Sequence, residues 1–390
     1  MKIREVRASI LKFTAPAIGT PKATPRQPAW LESAEVANPM SRYPRFKRQR
    51  ASWRPRSTAV ACRITAEDGT WGLGMTRYGT PVAALINEHF APLLVGEPCL
   101  ATERIWDMLV RLASPYSAAG LASYAISAVD LALWDLKGKV LNRPVYELLG
   151  GPARDQQPCY ATGNDTAWHI ELGFNATKLA CPYGPADGLD GLEKNADLVA
   201  RARDLIGPKI DLMLDCWMAF DLEYAVRLAE RLRPYGLRWL EECLIPEDLA
   251  GHVELRRRLP WQGLATGEHW YTPSPFAYAV NHRVADVLQP DVEWVGGVTA
   301  CVKICHIAET AGIAVIPHAG MNSPYGQHLS FAMPNSPWGE YFVGSPPGVP
   351  LDDVTVIPGM VHPKHGSVLP NDAPGFGLEI TDRWLESVTA

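Results

Sequence analysis

No Cys-x-x-Cys pair and no Cys/His cluster at zinc-finger spacing occurs anywhere in the 390 residues. The eight cysteines, Cys62, Cys99, Cys159, Cys181, Cys216, Cys243, Cys301 and Cys305, are scattered through apolar stretches and read as reduced, buried fillers. An excess of one sign of charge is also missing. Charged residues make up 20% of the chain and the formal net charge is −5, so the molecule as a whole has no electrostatic drive toward nucleic acid or an anionic membrane. Any anion binding must be local. Residues 1–30 are broken by Pro16, Pro21, Pro25 and Pro28 and hold no long apolar core, which speaks against a secretory signal or a membrane span there. A soluble, cytoplasmic protein is expected.

What the chain does have is length and apolar content: 47% hydrophobic residues over 390 positions suggest two folding units. Ile3 to Ile10 alternates like a strand, and Thr58 to Thr65 does so again before the turn signal Glu67-Asp68-Gly69. Between them, residues 14–56 form a long segment rich in Pro, Ala and Arg with no sustained period, as expected of a lid loop. Two helical patterns occupy Val82 to Leu112. Ile126, Val129, Leu133, Leu136 and Val140 then recur at spacings of three and four, one apolar stripe on a helix. Pro144 and Gly150-Gly151 end that region and place a boundary near residue 150.

Beyond it, short apolar runs alternate with helical stretches, the texture of parallel strands with crossover helices. Candidate strands are Cys159–Thr162, Ala176–Ala180, Asp211–Leu214, Leu237–Leu240, Gly263–Ala265, Val284–Leu288, Ala314–Ile316 and Tyr341–Val343. Eight such strands suit a (β/α)-type barrel with its active site at their carboxyl ends. A doubly wound open sheet is the alternative, although no GxGxxG fingerprint opens the first βα unit. The expected organisation is an α+β capping domain over 1–150, a barrel over 151–344, and a tail over 345–390 that returns to the cap.

Three candidate strands end in acids: Asp215, Glu241 and Glu268, spaced 26 and 27 residues apart, close to one βα unit. In a barrel they converge, and three hard oxygen donors suit Mg²⁺. An acid at a strand end also commonly caps the next helix, which is an even bet for any one of them but a poor account of all three in register. Asp291 and His318 come next, at spacings of 23 and 27, a carboxylate able to fix the tautomer of an imidazole general base. Glu340 would end the eighth strand and point into the same mouth.

The stretch Ala125 to Lys139, with Asp130-Leu131-Ala132-Leu133-Trp134-Asp135-Leu136 at its centre, precedes Pro144-Val145-Tyr146-Glu147-Leu148-Leu149-Gly150-Gly151. With the three acids, Gln289-Pro290-Asp291 and the Pro374-Gly375-Phe376-Gly377 tail, it resembles the mandelate-racemase branch of the enolase superfamily over nearly the whole chain. Within that branch, Pro39-Met40-Ser41-Arg42-Tyr43, Met213 to Met218, Glu241-Glu242-Cys243-Leu244, Gly267-Glu268-His269 and Trp294-Val295-Gly296-Gly297 look most like the L-rhamnonate dehydratase family.

The resemblance implies a modified TIM barrel of (β/α)7β type under a capping domain built from the N-terminal segment and the C-terminal tail. It implies one Mg²⁺ on Asp215, Glu241 and Glu268, a His318–Asp291 dyad as base, and substrate contacts from Arg50, His269, Trp270 and His328. A homo-oligomer acting on a small acid sugar is expected, with the proton α to the carboxylate abstracted and the 3-hydroxyl eliminated to give a 2-keto-3-deoxy acid. Lys178 stands where racemases of the branch begin a Lys-x-Lys pair, but Ala180 occupies the second position. Residues two apart face the same way on a strand, so a single strong base remains, which favours elimination. Lys178 itself is either an electrophilic helper to the substrate carboxylate or a partner for a metal-site acid.

The chain departs from the family near Trp30, where a His is replaced by Ala29, and after His318, where Ala319 to Gln327 is longer by two residues. Two further readings stay open. One is an epimerase or cycloisomerase of the same superfamily. The other is a non-catalytic barrel whose basic segment, Arg42 to Arg56, binds a polyanion.

Overall fold

The computed structural model describes residues 1–12, 23–46, 58–354 and 357–389. β1 (Ile3–Leu11), buried on one side, pairs antiparallel with the largely buried β2 (Ala59–Ala66), with Val6 opposite Ile64. A third strand, β3 (Trp71–Thr76), comes after the Glu67 to Thr70 turn and pairs antiparallel with β2. Gly72 and Gly74 hide it from a propensity reading, and the structure gives their purpose. A Cβ at Gly72 would lie 2.1 Å from the Ala132 carbonyl oxygen, and one at Gly74 2.0 Å from that of Ala128. A long helix thus rests directly on the strand.

That helix is α2 (Leu121–Leu141), preceded by α1 (Thr102–Ala113). The expected one-sided stripe is too narrow, because every residue from Ala122 to Leu136 is buried. The helix lies between the small sheet, α1 and a helix of the second unit, so all its faces are covered.

The second unit alternates strand and helix: β4 (Gln157–Thr162), α3 (Thr166–Glu171), β5 (Ala176–Ala180), α4 (Gly188–Ile206), β6 (Asp211–Asp215), α5 (Leu222–Leu232), β7 (Leu240–Glu241), α6 (Leu249–Arg258), β8 (Leu264–Thr266), α7 (Pro273–His282), β9 (Val287–Leu288), α8 (Gly297–Glu309), β10 (Ala314–Val315), α9 (Pro324–Ala332) and β11 (Gly339–Phe342). All eight expected strands are present, with ends shifted by a residue or a few. They pair parallel in chain order from β4 to β10, and β11 lies on the free side of β4. A last strand that pairs with the first marks a sheet curling on itself, whereas a doubly wound sheet reverses its order midway. The fold is the modified TIM barrel with a small antiparallel sheet beside it. A short β12 (Ser367–Val368) adds antiparallel to β4.

The tail packs on the N-terminal unit: the Phe376 N–H donates to Asp135 Oδ1 at 3.1 Å, and Leu11 bridges Thr389. Trp30 and Ala37, within the segment expected to form a lid, lie against the loops that follow β4 and β5. Trp30 N–H donates to Asp165 Oδ2 at 2.9 Å, and Ala37 N–H to the Cys181 carbonyl at 2.8 Å. Among the described residues, no helix is long and apolar enough to cross a membrane.

Candidate metal centre and base dyad

Three neighbouring strands deliver acids to one point. Asp215 ends β6, Glu241 ends β7, and Glu268 lies two residues beyond β8. One carboxylate oxygen from each lies within 4.8 Å of the others. Burial pushes all three up to about 7, against the pull of Lys178 on Asp215 and Glu241 and of His318 on Glu268. Three hard oxygen donors this crowded, and this reluctant to ionise together, fit a divalent cation of the Mg²⁺ class.

The backbone around them is strained. Trp217, Met218, Glu242 and Ala319 adopt φ of 43°, 60°, 45° and 46°, a left-handed conformation costing side-chain-bearing residues about 1–3 kcal/mol each. The turn at Trp217 aims its own N–H at Asp215 Oδ1, 2.8 Å away. Glu241 is held harder still. Its Oε2 accepts Trp239 Nε1–H at 2.9 Å and Gln289 Nε2–H at 2.7 Å, while its Oε1 pairs with the Lys178 ammonium.

His318 and Asp291 meet as expected, Nδ1 to Oδ2 at 2.8 Å, which leaves Nε2 facing Glu268 Oε2 at 3.6 Å. Burial opposes charging of this imidazole, but Glu268, the Asp291 hydrogen bond and Glu340 together push it up to about 10. His269 approaches the other oxygen of Glu268 at 3.4 Å and pairs with Glu242 Oε2 at 2.9 Å. The Trp294 ring stands between the two imidazoles, 4.9 Å from His318 and 5.6 Å from His269.

Lys178 is 1% exposed, with its ammonium committed to Glu241 and, at 2.7 Å, to Glu340. Of its two readings, this geometry matches the partner to a metal-site acid. Glu340, expected to be catalytic, has both oxygens in use: Oε1 accepts Thr162 Oγ1–H at 2.6 Å and Oε2 accepts Ala319 N–H at 2.9 Å. Burial would raise it, yet Lys178 and His318 hold it down to about 2, so it has no proton to give at neutral pH. The same ammonium faces Glu241 without driving it down, because burial, helped by repulsion from Asp215 and Glu340, outweighs it.

Two expected substrate contacts sit elsewhere. Trp270 is buried against His252 and Phe276 and donates Nε1–H to the Pro246 carbonyl at 3.0 Å, stapling the loop after β8 to the one after β7. His328 lies inside α9, fully buried with its ring against those of Tyr146 and Phe376. Burial lowers it to about 3. It is a neutral packing residue, because α9 turns its face toward the cap and tail rather than the mouth. Arg50 lies outside the described residues.

Trp239, Gln289, Glu242 and Trp294 are site residues that the sequence reading misses. The first two have a usable signal: each precedes a site acid, Glu241 or Asp291, by two positions, and alternate residues of a strand share a face.

With this geometry in hand, the comparisons with known proteins are specific. Residues 40–150 match the model of the mandelate racemase / muconate lactonizing enzyme N-terminal domain, and residues 165–384 that of the enolase C-terminal domain-like family. An L-rhamnonate dehydratase of Saccharopolyspora erythraea is 39% identical over 385 residues, covering 97% of both chains. The crystal structure of rhamnonate dehydratase from Gibberella zeae complexed with Mg superposes with a TM-score of 0.91 at 32% identity, covering 100% of this chain and 96% of that one. A second structure of the Gibberella zeae L-rhamnonate dehydratase gives a TM-score of 0.90 at the same identity.

Proposed function

The chain belongs to the mandelate racemase / muconate lactonizing enzyme family of enolase-like proteins, and from that premise we propose that it dehydrates L-rhamnonate or a closely related five- or six-carbon aldonate. It is a Mg²⁺-dependent acid-sugar dehydratase, a hydro-lyase. Asp215, Glu241 and Glu268 hold the cation. Bound there, Mg²⁺ supplies fixed positive charge to a substrate carboxylate, offsetting the second negative charge that builds up when C2 loses its proton.

The observation that carries the reading is the orientation of His318. Its Nδ1 is anchored on Asp291, and its Nε2 faces Glu268, the acid that holds the imidazole protonated in the metal-free protein; a cation on Glu268 would offset that charge and leave Nε2 able to accept a proton. A base so placed takes the C2 proton of an acid whose carboxylate lies at the metal centre. The C2–H bond breaks, the electron pair moves toward the carboxylate, and the proton rests on Nε2. The imidazolium then protonates the departing 3-hydroxyl, which leaves as water. As the C3–O bond breaks, the electron pair returns to form a C2=C3 double bond, and the resulting enol tautomerises, C3 taking a proton from solvent as the 2-hydroxyl gives one up, to the 2-keto-3-deoxy acid.

One base on one face supports elimination over racemisation. Ala180 occupies the place of a second lysine, and Lys178 is committed to Glu241 and Glu340. Glu340 serves as a clamp on the backbone beside His318 rather than as an acid.

The test is a library of acid sugars, incubated with Mg²⁺ in deuterated water and assayed for 2-keto acid. Metal-dependent keto acid from L-rhamnonate is the expected result. Deuterium entering recovered substrate without keto acid would instead identify an epimerase, and no reaction with any aldonate would sink the proposal.

A further inference from the structure

The segment that carries half of the base dyad, 291–299, is held mainly from outside the barrel. Inside it, the Trp294 and Val295 N–H groups donate to the Asp291 carbonyl at 3.0 and 2.9 Å, and Glu293 N–H donates to Asp291 Oδ1 at 2.7 Å. Asp291 is therefore part of a tight turn whose shape depends on residues 293–299. Five side chains of the N-terminal unit grip those residues. Thr76 Oγ1–H donates to the Glu293 carbonyl at 2.7 Å. Trp106 Nε1–H donates to the Gly296 carbonyl at 2.9 Å, and Ser127 Oγ accepts the Gly296 N–H at 2.8 Å. Asp130 Oδ2 accepts the Thr299 N–H at 3.0 Å, and Trp134 Nε1–H donates to Thr299 Oγ1 at 2.9 Å.

Ser127, Asp130 and Trp134 recur at spacings of three and four on one face of α2, which makes that face a rigid template. Asp130 acts as an N-cap for α8, supplied by a different part of the chain. The fit is close on both sides: Gly297 has φ +82°, and a Cβ there would lie 2.3 Å from Asp130 Oδ2. Tyr124, a further turn back on α2, stacks on Trp294 with centroids 5.7 Å apart and planes 29° apart, and Trp294 in turn bears on His318.

We propose that Asp130 and Ser127 are positioning residues for the reaction: through the 296–299 backbone they set the Asp291 turn and the Trp294 ring, and so the direction in which His318 presents Nε2. The N-terminal unit is then a working part of the base as well as a cover. This rests on His318 being the base, and the test separates the two ideas.

The full-length enzyme is compared with Asp130→Ala, Asp130→Asn, Ser127→Ala and His318→Asn, each saturated with Mg²⁺. A displaced base costs rate rather than binding, so Asp130→Ala is expected to lose about 100-fold in kcat, with KM and the Mg²⁺ activation constant within about twofold of the parent. The kinetic isotope effect of substrate deuterated at C2 rises, because proton abstraction becomes slower than the other steps. Asp130→Asn keeps an acceptor for Thr299 N–H and recovers most of the rate. Ser127→Ala gives the same pattern more weakly and carries the test if Asp130→Ala fails to fold. Unchanged kcat in both alanine variants, alongside a dead His318→Asn, overturns the positioning role alone. So does a fall in kcat with an unchanged isotope effect and a parallel loss of Mg²⁺ affinity, the mark of general structural damage. Turnover by His318→Asn removes the base and the positioning role with it.

Discussion

His318 Nδ1 lies 2.8 Å from Asp291 Oδ2, and these residues stand at the ends of adjacent parallel strands, 27 positions apart in the chain. Asp291 thereby fixes which imidazole nitrogen is free and stabilises the ring once it has gained a proton. The nitrogen proposed to react is left facing Glu268 of the carboxylate cluster, which would tie proton transfer to the proposed cation site.

Replacing His318 by Asn removes the proposed base but keeps a polar side chain. Turnover is expected to fall by at least about 10²- to 10⁴-fold, with no exchange of the C2 proton against deuterated solvent. The rise in Tm on adding Mg²⁺ persists, because His318 is not one of the three acids. Proton exchange at the parental rate would dismiss His318 from the reaction.

The metal-free protein should weaken as pH rises. Asp215, Glu241 and Glu268 are each pushed by burial up to about 7, well above the usual carboxylate range. Between that range and about pH 7 the folded chain holds protons that the unfolded chain has released, so stability falls across this window. His318, raised to about 10, acts in the same sense at higher pH. A divalent cation offsets the repulsion once the acids ionise. Thermal melts at pH 5.5 and pH 8, with and without Mg²⁺, should therefore show the larger metal-induced gain at pH 8. An equal gain at both would mean the acids do not share a cation.

Lys178→Met preserves volume but removes the ammonium between Glu241 and Glu340. Leaving buried carboxylates without their partner is expected to cost about 3–5 kcal/mol, read as a lower denaturation midpoint of the metal-free protein. Stability equal to the parent would show that the lysine's ion pairs carry no structural weight.

His328 shapes the acid side of the stability curve. Burial lowers it to about 3, so between its ordinary value and about 3 the unfolded chain takes up a proton that the folded chain refuses. Its contribution is complete above the ordinary histidine range and is lost as pH falls toward 3. His169, buried beside Thr177, behaves likewise. His328→Gln removes this proton uptake by the unfolded chain, so its Tm at pH 4 relative to that at pH 6.5 should lie higher than the parent's, and an unchanged difference would contradict this.

Much of the barrel and its chemistry is legible in the sequence. The three acids, and Asp291 with His318, announce themselves because the βα repeat spaces strand ends at nearly constant intervals, and the chemistry needs ionisable groups there. The eight strands are legible for the same reason: parallel strands buried on both faces read as short apolar runs. What escapes lacks a periodic signature. β3 contains Gly72 and Gly74, whose value lies in letting α2 approach, a tertiary fact with no local trace. Trp270 and His328 look like site residues by sequence neighbourhood, yet loop and helix direction turn them into the packing. Glu340 does reach the mouth, but its role depends on Thr162, Lys178 and Ala319, which only folding brings within reach.

The three donors on Glu241 bear on which ions the centre accepts. Trp239 and Gln289 occupy one oxygen and Lys178 the other, so the carboxylate has no freedom to swivel into a two-oxygen grip. Large, many-coordinate ions such as Ca²⁺ rely on that grip, whereas Mg²⁺ and the similarly compact Mn²⁺ take one oxygen from each acid in a tight octahedron. With Glu241 as a proposed ligand, discrimination by ionic radius would rest on the tryptophan, glutamine and lysine behind it.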